Sequence, residues 1–147
     1  MKIWIAAGAF AGGFVVAQLL KLVIGLIKGR KTGVNNFRTA VGYLTRSGGM
    51  PSGHAASFTA LTVYLGCVEG FDTGLFALAL ASLLIILYDA IHVRYAVGEQ
   101  GKALNRLLRE AKQPELPIVE GHTMIEVVVG VLIGILLGWG LFVLTSM

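Results

Sequence analysis

The sequence predicts an all-α integral membrane protein with about four transmembrane helices and a helical cytoplasmic insertion between the third and the fourth. Of its 147 residues, 56% are hydrophobic and only 14% are charged, and the mean hydropathy is +0.79. A soluble domain carries roughly 45–50% apolar and about 25% charged residues. So few charges do not cover the surface of a soluble enzyme, and so apolar a chain is not disordered. The length allows a single domain over residues 1–147.

Four apolar stretches are candidate spans, because a membrane-crossing helix needs about 20 mostly apolar residues. They are Ile3 to Ile27, Ala55 to Val68, Gly74 to Tyr88 and Val127 to Leu144. Helices are expected because the backbone must satisfy its own hydrogen bonds in hydrocarbon. The second and third stretches are short. Each reaches spanning length only when its polar end is included, which is Met50 to His54 for the second and Asp89 to Val93 for the third.

The fourth stretch carries Gly130, Gly134 and Gly138 at intervals of four residues. Such a stripe of small residues lets two helices approach closely. The sequence leaves open whether the stripe packs within the chain or forms the seam of a homodimer. Before this span, the charged run from Lys102 to Lys112 predicts an amphipathic surface helix. Its apolar side would face the membrane through Leu104, Leu107, Leu108 and Ala111.

Basic residues are concentrated in the two long loops, which fall on the same side of the membrane. The positive-inside rule therefore places both loops in the cytoplasm and both termini outside, as expected for a protein of the cell membrane. The net charge of +4 favours anionic lipid headgroups or a phosphate-bearing substrate, and not nucleic acid, because the basic residues lie between spans. These residues are Lys28, Arg30, Lys31, Arg38, Arg46, Arg94, Lys102, Arg106, Arg109 and Lys112.

Polar side chains lie near the ends of the spans, and the alternating direction of the helices brings them to the side of the basic loops. Burying an ionisable residue in a span is costly, so such residues indicate function. The set comprises Gln18, Lys21, Ser52, Gly53, His54, Asp89, Arg94, His122 and Glu126.

Two histidines and a carboxylate of this set are suited to acid–base and nucleophilic chemistry. His122 and Glu126, four residues apart, share one helix face. A carboxylate that binds one imidazole nitrogen raises the basicity of the other, which makes His122 a candidate nucleophile. His54 is left as a general acid for the leaving oxygen. No ligand spacing supports a metal site built from the three histidines.

The remaining members of the set are suited to holding a phosphate. Lys21 and Arg94 neutralise an anion, and an arginine binds phosphate through two hydrogen bonds. Ser52 and Gly53 follow a glycine-rich run at the start of a helix, where backbone amides bind anions. Together with the histidines, these residues outline a metal-free site for phosphoryl transfer.

At these residues the sequence resembles the type 2 phosphatidic acid phosphatases, which share a fold with vanadium-dependent haloperoxidases, and especially their small divergent branch. The tetrapeptide Pro51-Ser52-Gly53-His54 is similar to the second motif of the family. His122, Glu126 and Gly130 have the spacing of the second half of the third motif. The run from Asp89 to Arg94, with Gly98, Glu99, Gln100, Leu104 and Asn105, resembles the signature of the divergent branch.

The resemblance implies a role for each matching residue. His122 would attack phosphorus and form a phosphohistidine, and Glu126 would take the place of the aspartate that orients it. His54 would protonate the leaving group and then activate water. Ser52, Gly53 and Arg94 would cradle the phosphate. The implied substrate is a lipid phosphate or diphosphate of the phosphatidate, phosphatidylglycerol phosphate or polyprenyl diphosphate type, and no metal or other cofactor is implied.

The sequence departs from the family pattern in three ways. Glutamate replaces aspartate at 126, and the wide spacing between Arg94 and His122 requires an insertion, roughly Gly98 to Glu120, to loop out. The first motif is ambiguous. Lys31 and Arg38 have its spacing, but Thr39 replaces the proline.

Lys21 is the preferred first-motif residue, because a buried lysine beside Gln18 needs an anion. Gln18 and Asp89 are expected to position the residues that contact the phosphate without contacting it themselves. The departures also favour a second hypothesis, that of a non-catalytic anionic-lipid binding or scaffold protein on the same fold.

Overall fold

The structure is a computed structural model, and it describes residues 3–28, 39, 42, 49–118 and 121–147. All secondary structure in these residues is helical, which confirms the predicted all-α class. The elements in chain order are α1 (Ile3–Lys28), α2 (Gly53–Glu69), α3 (Gly74–Tyr88), a π-helical turn (Asp89–Val93), α4 (Arg94–Glu110) and α5 (Met124–Ser146).

Helix α2 is the centre of the bundle and packs against α1, α3 and α5. Its buried face consists mostly of small or hydroxyl-bearing residues, which allow neighbouring helices to approach closely. Two of the hydroxyls bond to backbone carbonyls: Ser57 Oγ donates to Gly53 O over 2.7 Å, and Thr62 Oγ1 donates to Phe58 O over 2.7 Å. These bonds satisfy the hydroxyl donors at the two positions inside the bundle.

Three helical stretches are long and apolar enough to cross a membrane, namely Ile3–Ile27, Gly74–Glu110 and Met124–Ser146. Helix α2, with 17 residues, is not one of them. The expected extension of the second span from Met50 is wrong, because the helix begins only at Gly53. The Ser52 side chain caps the helix there by accepting a hydrogen bond from Ala55 N.

The glycine stripe of α5 packs inside the molecule against α2. A Cβ on Gly130 would lie 2.6 Å from Ser52 O, and one on Gly134 would lie 2.5 Å from Thr59 Cβ. A Cβ on Gly138 would lie 2.5 Å from the carbonyl oxygen of Ala60. The stripe therefore serves intramolecular packing, and the alternative of a dimer seam along it is wrong.

The insertion before α5 continues the third predicted span, and its residues 94–118 are called the arm. Helix α4 follows the π-helical turn directly, so residues 74–110 form one helical run. The chain then returns beside α4: Asn105 Nδ2 donates to Leu116 O and Leu116 N donates to Asn105 Oδ1, both over 2.9 Å. Arg109 and Glu115 add an ion pair at 3.1 Å. The predicted amphipathic helix is thus present and begins earlier than Lys102.

Candidate functional site

The first turn of α5 brings His122 and Glu126 together. Thr123 caps the helix in a capping box, in which its hydroxyl accepts from Glu126 N and its own N–H donates to Glu126 Oε2 over 2.9 Å. The same Oε2 lies 3.3 Å from His122 Nδ1. Both side chains are largely buried, with 13% and 19% of their surfaces exposed. With Nδ1 engaged, Nε2 is the imidazole nitrogen left for chemistry.

The π-helical turn holds the segment before α5 in place. In this turn Arg94 N bonds to Asp89 O, five residues back, a pattern that interrupts the regular ladder of an α-helix. The carbonyl of Ala90 accepts a hydrogen bond from His122 N over 3.3 Å. A Cβ on Gly121 would overlap the backbone of Arg94, so only glycine allows this close approach. The backbone of His122 is therefore anchored directly on the turn that carries Arg94.

Arg94 is paired with a carboxylate on the same turn. Its Nε lies 2.6 Å from Asp89 Oδ2, and both side chains are partly exposed. An arginine fixed by one carboxylate through Nε keeps its terminal nitrogens as donors for a second anion. Asp89 therefore orients a cation next to His122.

The backbone of the Pro-Ser-Gly-His segment is hydrogen-bonded to the first turn of α5. Ser52 N donates to Glu126 O over 3.0 Å. The Ser52 side chain is fully buried, and its Oγ accepts from Ala55 N over 3.4 Å. The hydroxyl oxygen thus caps α2 while its O–H remains a donor, and the phosphate contact expected of Ser52 stays a prediction. Gly53 lies against the ring of Phe14, where a Cβ would be 3.2 Å from the ring carbon Cε2.

His54 lies on the first turn of α2 and is exposed. It is close enough to Arg94, His122 and Asp89 to interact with their charges. Its ring makes an edge contact with Phe14, with centroids 6.4 Å apart. The two histidines therefore lie within electrostatic range of each other, and His122 is largely buried beside Glu126 whereas His54 is exposed.

Lys21 approaches the site from α1. It is almost fully buried, with 5% of its surface exposed, and its charge interacts with that of Glu126. Gln18 lies one turn earlier on the same helix and is partly buried. The structure thus joins residues from α1, α2, the π-helical turn and α5 at one end of the bundle.

Some predicted residues are not part of this arrangement. Lys31 and Arg38 lie outside the described residues, so of the first-motif candidates only Lys21 is located. His92 stacks on Tyr88 with ring centroids 4.6 Å apart. In the described part of the chain, no three His, Cys, Asp or Glu side chains gather as a metal-binding group.

Three structural contributions were not identified from the sequence as parts of the site. Thr123 could have been, because Thr-x-x-Glu before an apolar run is a capping-box pattern. The carbonyl of Ala90 and the ring of Phe14 could not, because their contacts depend on how distant segments pack. Chemically, the arrangement offers an imidazole paired with a carboxylate, a second imidazole and two cations.

Comparisons with known proteins identify the family of the chain. The sequence profile of the divergent PAP2 family matches residues 3–137, a range that includes every candidate residue. An "Uncharacterized membrane protein YuiD" from Bacillus subtilis (strain 168) is 34% identical over 140 residues, covering 84% of each chain. No solved structure matches the chain.

Proposed function

Because this chain belongs to the divergent PAP2 family, we propose that it is a membrane phosphatase acting on a lipid phosphate or diphosphate without a metal ion. The observation that carries the proposal is the pairing of His122 Nδ1 with Glu126 Oε2, 3.3 Å apart, with His54 within electrostatic range of both His122 and Arg94. A histidine whose one nitrogen is hydrogen-bonded to a carboxylate can act as the nucleophile of a two-step phosphoryl transfer. A second histidine nearby can transfer the protons that both steps require.

In the first step, Nε2 of His122 attacks phosphorus and a P–N bond forms. The bond between phosphorus and the lipid oxygen breaks, and protonated His54 donates its proton to that oxygen. Glu126 accepts the hydrogen bond from Nδ1–H and stabilises the positive charge that develops on the imidazole. The products of this step are the free lipid alcohol, or lipid monophosphate, and phosphohistidine at His122.

In the second step, water attacks the phosphohistidine. His54, now neutral, takes a proton from the water as its oxygen bonds to phosphorus. The P–N bond breaks, its electron pair returns to Nε2, and inorganic phosphate leaves. The cycle ends with His54 protonated and His122 free, as it began.

The cations of the site neutralise the transferring phosphoryl group in this scheme. Arg94, oriented by Asp89, holds two phosphate oxygens, and the buried Lys21 supplies a second positive charge. Gly53 contributes backbone at the first turn of α2, where amides are not used within the helix. Lys31 and Arg38 are the alternative first-motif cations.

The site is proposed to face the cytoplasm in the cell membrane, with α2 as a fourth, shorter membrane-embedded helix. The excess of basic residues in the two long loops supports this orientation. Single cysteines at Thr32 and Thr73 in a Cys67→Ala background test it. An impermeant maleimide added to intact cells should modify position 73 and not position 32. The reverse pattern would contradict the orientation.

Phosphate release by the purified protein in detergent tests the activity. The substrates are phosphatidate, phosphatidylglycerol phosphate and a polyprenyl diphosphate, each assayed with EDTA present. His122→Ala should lower turnover by at least about 1,000-fold, the scale of losing a nucleophile. His92→Ala is the matched control, since His92 stacks on Tyr88, and it should keep turnover within about twofold. Undiminished turnover in His122→Ala would refute the proposal.

Two departures from the family pattern favour a second candidate function, a non-catalytic anionic-lipid binding protein. Glutamate stands at 126 where the family has aspartate, and Thr39 replaces the proline of the first motif. This candidate predicts phospholipid binding that survives His122→Ala, with no turnover above background by folded wild-type protein.

A further inference from the structure

Helix α4 carries an apolar stripe that the described part of the chain leaves exposed. The stripe consists of Val97, Leu104, Leu107 and Leu108, which recur at helical spacing, and Leu108 at its edge is partly buried. The exposed fractions of Val97, Leu104 and Leu107 are 48%, 45% and 62%. The returning segment covers a different side of α4, where Asn105 is buried. Within the described residues, the main helical contact of α4 is the π-helical turn before it.

The π-helical turn aligns this stripe with the outer side of α3. Leu78 and Ile85, seven residues apart, are 65% and 68% exposed on α3. In a regular α-helix, the residue seven positions after Ile85 on this face would be His92. A π turn contains one more residue than an α turn, so Val93 takes that position instead. On the same face, Val97 follows four residues after Val93, and Leu104 follows seven residues after Val97.

The apolar stripe of α4 is therefore continuous with a surface that faces lipid. Helix α3 belongs to a stretch apolar enough to span a membrane, and its outer side contacts acyl chains. The run from 74 to 110 contains 37 residues, about 55 Å of helix at 1.5 Å per residue, whereas the hydrocarbon core is about 30 Å thick. Helix α4 thus lies outside the core, and its leucine stripe avoids water only if the helix lies along the membrane surface.

The charge of the arm fits an anionic surface. Over residues 94–118, five basic side chains outnumber three acidic ones, which gives a net charge of +2. Basic residues opposite an apolar stripe are the pattern of helices that lie in the headgroup region. The charged residues are Arg94, Glu99, Lys102, Arg106, Arg109, Glu110, Lys112 and Glu115.

We infer that α4 is a membrane-surface helix whose apolar stripe (Val97, Leu104, Leu107 and Leu108) inserts among the headgroups of an anionic bilayer. Its basic residues then contact lipid phosphates. This arm keeps the π-helical turn, and the Arg94 side chain on it, at headgroup depth. The inference does not depend on the proposed reaction, because it concerns where α4 lies and not what the site does.

Depth-dependent fluorescence quenching tests the inference on the full-length chain. In a Cys67→Ala background, a single cysteine replaces Leu104 on the stripe or the exposed Lys102 on the opposite side, and each carries an environment-sensitive fluorophore. Both proteins are reconstituted in phosphatidylcholine–phosphatidylglycerol vesicles. Quenching by a lipid with a nitroxide on its headgroup should be at least about threefold stronger at position 104 than at position 102, and aqueous iodide should show the opposite order.

Two results would overturn the inference. Equal quenching at the two positions would mean that α4 stands free in water. Exclusion of both iodide and nitroxide from the labelled position 104, together with oxidative disulfide cross-linking between copies of the unlabelled Leu104→Cys protein, would mean that the stripe binds a second copy. Leu107→Cys repeats the measurement one turn along, and circular dichroism shows whether each variant keeps the wild-type helix content.

Discussion

Replacing Gly134 by alanine should force α5 away from α2 and destabilise the fold. The new Cβ would lie 2.5 Å from Thr59 Cβ and 2.6 Å from Ala56 O, whereas ordinary contacts are about 3.5–4.0 Å. The helices must therefore separate by roughly 1 Å. Overpacking of this kind costs about 1–3 kcal/mol. The upper end applies because one of the clashing atoms is backbone.

The matched control is Gly140→Ala on the same helix. Nothing lies within 4 Å of a Cβ at Gly140, so this variant only gains helix propensity, up to about 1 kcal/mol. The same gain offsets part of the clash at Gly134, which leaves a net cost of about 2 kcal/mol. The two variants should therefore differ by about 3 kcal/mol in free energy of unfolding.

Thermal unfolding in detergent, followed by circular dichroism, measures the difference. For a chain of this size, 2 kcal/mol lowers Tm by roughly 4–8 °C, and Gly140→Ala should melt at or slightly above the wild-type temperature. Equal Tm values for Gly134→Ala and Gly140→Ala would refute the close α2–α5 packing, and with it the intramolecular use of the glycine stripe.

Three further outcomes are expected. Glu126→Gln should keep Tm within a few degrees of the wild-type value, because glutamine also completes a capping box. Its kcat should fall on the order of 1,000-fold, because the negative charge that stabilises the His122 imidazolium is lost. A stable variant with wild-type kcat would contradict this role. Arg94→Lys should lower kcat/KM about 10–100-fold in steady-state kinetics, because lysine lacks the planar guanidinium that binds two phosphate oxygens at once. An unchanged kcat/KM would mean that Arg94 does not bind the phosphate. Asn105→Ala should speed amide exchange at Leu116, because its N–H loses its side-chain acceptor; unchanged exchange would show that this hydrogen bond does not hold the returning segment.

The sequence predicted the helices well where local signals agree. The third span was expected at Gly74 to Tyr88 and α3 has these bounds, because an apolar run stands between the polar cap Thr73 and Asp89. The first span was likewise expected where α1 lies. In both cases hydropathy, length and flanking polar residues give the same answer.

The sequence could not determine features that depend on contacts between distant segments. Whether the stripe at Gly134 faces α2 or a second chain follows only from packing. The extra residue of the π-helical turn is accommodated where Ala90 O meets His122 N, and no local pattern encodes that bond. The hydroxyl oxygen of Ser52 serves as a helix cap because the buried backbone there needs an acceptor.

The central claim is that phosphate is transferred to His122. Acid-labile, base-stable labelling of the protein by a ³²P-labelled lipid phosphate, followed by peptide mapping, tests it most directly. His54→Gln is included because it lacks the residue that acts in both steps, so it should turn over slowly and any label it forms should lie on the same peptide. The account predicts label on the peptide that contains His122 and none in His122→Ala. Label on another residue, or turnover that persists in His122→Ala, would contradict it.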